Sequence, residues 1–149
     1  MRFHIEPRQV GIYAIVLASP TRALGRGLTA AAADCNVRQR AGPPCGIDID
    51  SDGGTRHVLG IGVTMAQITK FLEGFSMPDR RPIVDRAGLT GRYDVDMRFT
   101  SDDGPATDIT TGIPLLKEAL ADALGLRLEP RTETRKALII DRLSMPSPD

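Results

Sequence analysis

The sequence predicts an α+β domain: a small mixed sheet with two helices on one face, preceded by an N-terminal β-hairpin. Three observations point there. From Thr55 onward, segments of period two and segments of helical spacing follow in the order strand, helix, strand, strand, helix, strand, strand. The chain has 149 residues, 41% of them hydrophobic, which suits one folded domain. It also carries 15 glycines and 11 prolines, so its connections are long and turn-rich.

Along the chain, Phe3–Ile5 and Gly11–Ala18 read as two strands, with Pro7–Val10 as the turn of a hairpin over residues 1–18. Residues 19–54 are rich in Ala, Gly, Pro and Asp and read as one long loop holding both cysteines. The α+β module occupies residues 55–143. Leu59, Ile61 and Val63 alternate, which predicts a half-buried strand with Gly60 and Gly62 on its other face. Thr64-Met65-Ala66-Gln67 is a capping box, and Met65, Ile68, Phe71, Leu72 and Phe75 follow at helical spacing to about Gly74. Ser76–Arg81 turns the chain, and Pro82–Asp85 is a short strand. In Arg92–Phe99, Tyr93, Val95, Met97 and Phe99 point one way and Arg92, Asp94, Asp96 and Arg98 the other. Ser101–Thr111 is a polar loop. Pro114 suits a first helical turn, Leu116, Ala119, Leu120, Ala123 and Leu124 form a buried stripe, and Gly125 ends that helix in a left-handed cap. Leu126–Glu129 and Ala137–Asp141 read as a second hairpin across Pro130–Lys136. Residues 144–149 are a frayed tail.

Nineteen basic and nineteen acidic side chains balance. Such neutrality argues against a nucleic-acid or anionic-membrane partner. No apolar run is long enough to cross a membrane. Gly11–Ala18 superficially resembles a leader core, but Glu6 and Pro7 before it and its β-favouring residues make it a buried strand.

Cys35 and Cys45 bracket a polar segment ending in Pro43-Pro44. Two cysteines in an irregular loop suggest a disulfide, with two free thiols as the alternative; the spacing matches no zinc pattern. Asp48-Ile49-Asp50-Ser51-Asp52-Gly53 matches the first half of a calcium loop, in which alternate carboxylates converge on a hard cation. The twelfth position is Leu59 where a glutamate is needed. A solvated acidic turn is therefore the main reading of Asp48, Asp50 and Asp52, and a weak calcium site the alternative; no other cofactor is expected. His4 and His57 stand apart from any nucleophile motif, and no catalytic residue can be named. Gly25-Arg26-Gly27 and Gly60-Ile61-Gly62 lack the context of a nucleotide fingerprint. Asp85, Arg86, Gly88, Thr90, Gly91, Arg92, Tyr93 and Asp94 form a compact set of opposite charges and turn residues. They read as a structural corner or a ligand site. In the structural version, Asp85 accepts backbone N–H bonds from the Gly88 loop and the arginines pair with Asp94 or Asp96.

Several runs stand in a telling order: Val63–Gln67, Arg81–Asp94, Leu124–Glu129 and Ile139–Arg142. The run Arg81-Pro82-Ile83-Val84-Asp85-Arg86-Ala87-Gly88-Leu89-Thr90-Gly91-Arg92-Tyr93-Asp94 is the most specific. With these motifs, Phe3–Ser147 resembles the soil-associated protein family, a domain of unknown function expanded in soil acidobacteria. The Asp34-Cys35 and Pro44-Cys45 pairs resemble that family's cysteine pair. The resemblance implies an extracytoplasmic (periplasmic or secreted) location and supplies no catalytic residues. It also implies a further N-terminal half before Arg2, so that this chain is the larger part of something longer. The element order is similar, at fold level only, to the short N-terminal domains of secretins and TonB-dependent receptors, which are interaction modules. The expectation is a protein- or peptide-binding module acting through its sheet, with a second copy of the chain, forming a homodimer by a sheet edge, among the candidate partners. The alternative is a hydrolase or other enzyme drawing on Asp85, Asp141, His57 and Asp48–Asp52.

Overall fold

The structure, a computed structural model, describes residues 2–21, 23–38, 41–52, 55–74, 81–100 and 116–142. Residues 76–80 of the expected turn Ser76–Arg81, the loop over 101–111, Pro114 and the tail lie outside these residues. The α+β class holds. Among the described residues seven strands form two sheets rather than the single sheet expected.

The first sheet runs β5–β1–β7: β1 is Arg2–Leu17, β5 is Ile83–Asp85 and β7 is Leu126–Arg142. β1 and β7 are antiparallel along their whole length, from Phe3 opposite Ile140 to Leu17 opposite Leu126, while β5 joins β1 in parallel at Tyr13–Ile15. The two expected hairpins are therefore one long ribbon, and neither Pro7–Val10 nor Pro130–Lys136 is a turn. The prolines that suggested turns cost the ladder nothing. The Tyr13 N–H points away from β7, donating to the Pro82 carbonyl at 2.9 Å. Alternate residues of a strand address opposite edges. Pro7, six residues from Tyr13, thus also addresses the side away from β7, and Pro130, paired with Tyr13, addresses the side away from β1. Neither position owes a ladder hydrogen bond.

The second sheet is antiparallel in the order β2–β6–β4–β3: β2 is Leu28–Ala30, β3 is Gly46–Asp52, β4 is Thr55–Val63 and β6 is Tyr93–Thr100. β2 and β3 fall inside the stretch expected as loop. In β6 the alternation holds, with Val95, Met97 and Phe99 buried. In β4 the phase is the reverse of the expectation: Val58 and Gly60 face the core, and Leu59 is exposed. A register shift between Gly60 and Val63 then returns Val63 to the core. A bulge resets a two-residue period in this way.

Helix α1, Met65–Glu73, starts at the expected capping box: Thr64 accepts from the Gln67 N–H, and the Gln67 side chain accepts from the Thr64 N–H. Met65, Ile68 and Leu72 are its buried face. It packs on β5 of one sheet and β3 of the other. Helix α2 ends in a π-helical turn, Leu120–Leu124, continuous with helical residues 116–119. Leu116, Leu120 and Leu124 are buried against β6 and β7. Gly125 caps it in the left-handed conformation (φ 70°), as its position suggests. Both helices thus bridge the sheets, and one continuous core includes Ile15, Val58, Leu72, Met97, Leu120 and Leu126.

Candidate functional site

β5 reaches β1 only at Tyr13–Ile15, so residues 3–10 and their partners project as two strands alone. At about 3.4 Å per residue this arm is roughly 27 Å long. Cross-strand pairing puts Phe3 beside Ile140 and Ile5 beside Leu138 on one face. All four are more than half exposed, at 57%, 51%, 63% and 58% respectively. Seven large hydrophobics are exposed among the described residues, and this patch holds four of them. Scattered exposed apolar residues are ordinary; a contiguous set marks a contact surface.

The reverse face is charged. His4 Nδ1 bonds Asp141 across the arm, and Nε2 lies 3.4 Å from Glu6. The Asp141 and Glu6 bonds raise the His4 pKa above 6.5, Asp141 contributing most. The Arg8 hydrogen bond, then the His4 bond, lowers the Glu6 carboxyl. Arg8 and Arg135 stand directly opposite. Each has a carboxylate within its own strand, Glu6 at 2.8 Å and Glu133 at 3.8 Å, which offsets their repulsion.

The sheet edges differ in kind. β5 and β2 are three residues long, and β3 carries Asp48, Asp50 and Asp52. Shortness and charge both blunt an edge. Pro7 interrupts the outer edge of β1. The outer edge of β7 continues from Arg131 to Arg142 without proline, and among the described residues no strand pairs with it. By the same alternation, Thr132, Thr134, Lys136, Leu138 and Ile140 direct their N–H and C=O groups outward along it.

The residues singled out from the sequence fall in separate places. Cys35 and Cys45 form a disulfide with Cα atoms 5.9 Å apart. Asp48, Asp50 and Asp52 occupy alternate positions of a strand rather than one turn, so the carboxylates of Asp48 and Asp50 are spaced about 7 Å along extended backbone. Across from them lie Leu59, His57 and Thr55. Asp50, Thr55, His57 and Arg98 line a shallow hollow of about 340 Å³, where His57 Nε2 bonds Asp96 at 2.8 Å. Asp141 belongs to the arm, and Asp85 to the corner. Of the four groups that an enzyme would draw on, only Asp50 of the acidic run and His57 share a surface. Among the described residues no group of three His, Cys, Asp or Glu side chains is arranged to hold a metal ion.

At the corner, Asp85 Oδ1 accepts the Ala87 N–H at 2.9 Å. The arginines pair elsewhere than expected. Arg86 reaches Glu133 of β7 at 2.7 Å, and Arg92 donates to the Gly62 carbonyl at 2.8 Å, because each faces a neighbouring strand rather than β6. Asp94 accepts the Gly62 and Ala32 N–H groups, and Tyr93 donates to the Thr90 carbonyl. Gly88 and Gly91, both at positive φ, shape the turn between them. Nearly every polar group of this set is thus engaged with the protein's own backbone.

The arm was missed in the sequence because each strand looked broken by its proline. The available signal was the match between Phe3-His4-Ile5 and Leu138-Ile139-Ile140, two apolar alternations at opposite ends of the chain.

These features define a disulfide-bridged α+β domain with a projecting two-stranded arm. The chain belongs to the DUF3738 family, proteins of unknown function, whose family model matches residues 1–143. No curated protein and no solved structure matches it. No helix among the described residues is long and apolar enough to cross a membrane.

Proposed function

We propose that this chain is an extracytoplasmic interaction domain that binds an extended polypeptide segment along the outer edge of β7. The observation that carries the reading is the pairing of an open edge with an apolar patch: Leu138 and Ile140 address the edge with their backbone and the patch with their side chains. Strand addition supplies main-chain hydrogen bonds for affinity and alternate side chains for specificity. An isolated two-stranded ribbon is marginal in water, so a third strand would also stabilise the arm. The disulfide supports an oxidising compartment, whether periplasmic or external.

The test is selection of displayed random peptides on the whole protein, followed by amide shift mapping. Selected peptides are expected to perturb residues 132–140 and to lose binding to Leu138→Pro. That substitution removes an outward N–H and leaves the β1 ladder intact. Peptides that map to the hollow around His57, or that bind Leu138→Pro unchanged, would overturn the reading.

A further inference from the structure

The geometry points to a second copy of this chain as the strand that docks on β7, antiparallel and centred on Leu138. The inference rests on the proposed role of the β7 edge and names its occupant. A two-fold axis perpendicular to the ribbon pairs each β7 residue with one on the same face of its partner. Centred on Leu138, Leu138 faces its own copy, Ala137 faces Ile139 and Lys136 faces Ile140. Arg135 of each protomer then faces Asp141 of the other.

The charges, the outward N–H groups and the apolar patch together select this register. Arg135 lies opposite Arg8 on the His4 face, and Asp141 shares that face because it bonds His4. Both are substantially exposed, each with 42% of its side chain open. Two Arg135–Asp141 pairs form by symmetry. Moving the axis to Ile139 sets Lys136 against Arg142. Moving it to Ala137 sets Glu133 against Asp141. Moving it to Lys136 sets that lysine against itself. Axes at Thr134 and Thr132 also oppose only unlike charges, Glu133 meeting Arg135 or Arg131, but both bring Pro130, which has no N–H, into the outward set and hold the two apolar patches apart. The Leu138 register opposes unlike charges and no like ones and also joins the patches. It is also a register in which Leu138, Lys136 and Ile140 present outward N–H and C=O groups, so every facing pair of this set can exchange two hydrogen bonds. On the other face the two apolar patches become one continuous strip across four strands, with Leu138 of both protomers at its centre.

Sedimentation of the full chain alone, across a concentration series, tests this. The expected result is a monomer–dimer equilibrium. Asp141→Arg should weaken dimerisation about tenfold or more, since it turns two attractive pairs into two repulsive ones. Adding Arg135→Asp to Asp141→Arg should restore it, because the pairs are then reversed and not lost. Leu138→Pro should abolish dimerisation while circular dichroism shows the body folded. A wild-type monomer throughout, a dimer indifferent to Leu138→Pro, or a double variant no better than Asp141→Arg would each overturn the inference. A wild-type monomer that still takes displayed peptides on residues 132–140 would sink the second copy alone and leave the edge as a binding site.

Discussion

His4 and Asp141 meet across the end of the arm, with Nδ1 2.8 Å from the carboxylate, although 137 positions separate them in the chain. This contact fastens the first residues of β1 to the last of β7 beyond any third strand. Asp141 sits at the register shift between Arg2 and Phe3, which leaves it out of the regular pairing and free to turn toward the imidazole.

The arm's cohesion should therefore depend on pH. The His4 pKa is raised above 6.5 by Asp141 and then Glu6. Its contribution is fully present below the unfolded value and is lost as pH rises through the folded one. Glu6 is lowered from 4.5 by Arg8 and then His4, so its contribution is lost only as pH falls through that lowered value. Amide exchange at residues 4–6 and 137–139 should be slowest between these limits. It should quicken as pH rises beyond the ordinary histidine value of 6.5 and through the raised one, in excess of the intrinsic base-catalysed trend. His4→Gln should remove that step and leave exchange in the core strands unchanged; a step that persists in this variant would show that another group is responsible.

The disulfide is packed against the backbone of β4. Gly62 has φ 58°, and a methyl group there would collide with the Cys35 sulfur. Reduction should lower stability by roughly 3 kcal/mol from loop closure, a drop in Tm on the order of 10 °C. Gly62→Ala adds a left-handed alanine and a steric clash, at about 2 to 3 kcal/mol. The two effects should not add. In a Cys35→Ser/Cys45→Ser background the facing atoms can separate, so the cost of Gly62→Ala should shrink toward the backbone strain alone. Equal costs in both backgrounds, measured by thermal melts, would place the clash elsewhere.

Legibility followed the range of the interactions. The capping box at Thr64–Gln67, the alternation in β6 and the Gly125 cap depend on neighbours in sequence, and all three stand where the pattern put them. The arm depends on pairing across more than 120 positions, which converts two apparent turns into open-edge prolines. The Ile47-Asp48-Ile49-Asp50 alternation is a period-two strand signal that also fits the start of a calcium loop; pairing with β4 selects the strand. In β4 the local pattern fails by one residue because Gly60 lies under Val95 and Val63. Small size there, and not hydrophobicity, decides which face is inside. The candidate site was legible only as a general expectation of sheet-edge binding, since the sequence does not say which edge is long, free of proline and, among the described residues, without a partner strand.

Asp85 anchors the connection from the first sheet to the second. Its carboxylate holds the Ala87 N–H, while the next residue's N–H, at Arg86, donates to the Ile15 carbonyl. Asp85→Ala leaves a turn donor without its acceptor at about 1 to 2 kcal/mol, or roughly 3 to 6 °C in Tm. Asp85→Asn keeps an acceptor oxygen and should recover most of the loss. If both variants melt like wild type, the corner is held by its glycines and strands, and the carboxylate is available for another role.

Gly25-Arg26-Gly27 gains a structural account that also yields the sharpest glycine test. The end of α2 is pressed onto this loop: Gly27 N–H donates to the Ala123 carbonyl at 2.7 Å, and Ala18 N–H to the Gly125 carbonyl at 2.8 Å. A methyl group on Gly25 would strike the Ala123 carbonyl, and one on Gly125 would lie 2.7 Å from the Gly25 nitrogen. These neighbours are main chain and cannot rotate aside as a side chain can. Gly25→Ala should therefore cost about 3 kcal/mol or more, through displacement of the helix end from Leu28 and β6. Gly46→Ala is the control: its φ of 138° is strained for alanine, but nothing lies within 4 Å of the added methyl. Backbone strain alone is worth about 1 to 3 kcal/mol. Thermal melts should rank Gly25→Ala below Gly46→Ala, with Gly27→Ala, which meets the Asp96 carbonyl, falling with Gly25→Ala. The reverse order would mean that the loop can lift off α2 at little cost and that the helix end is held by its leucines alone.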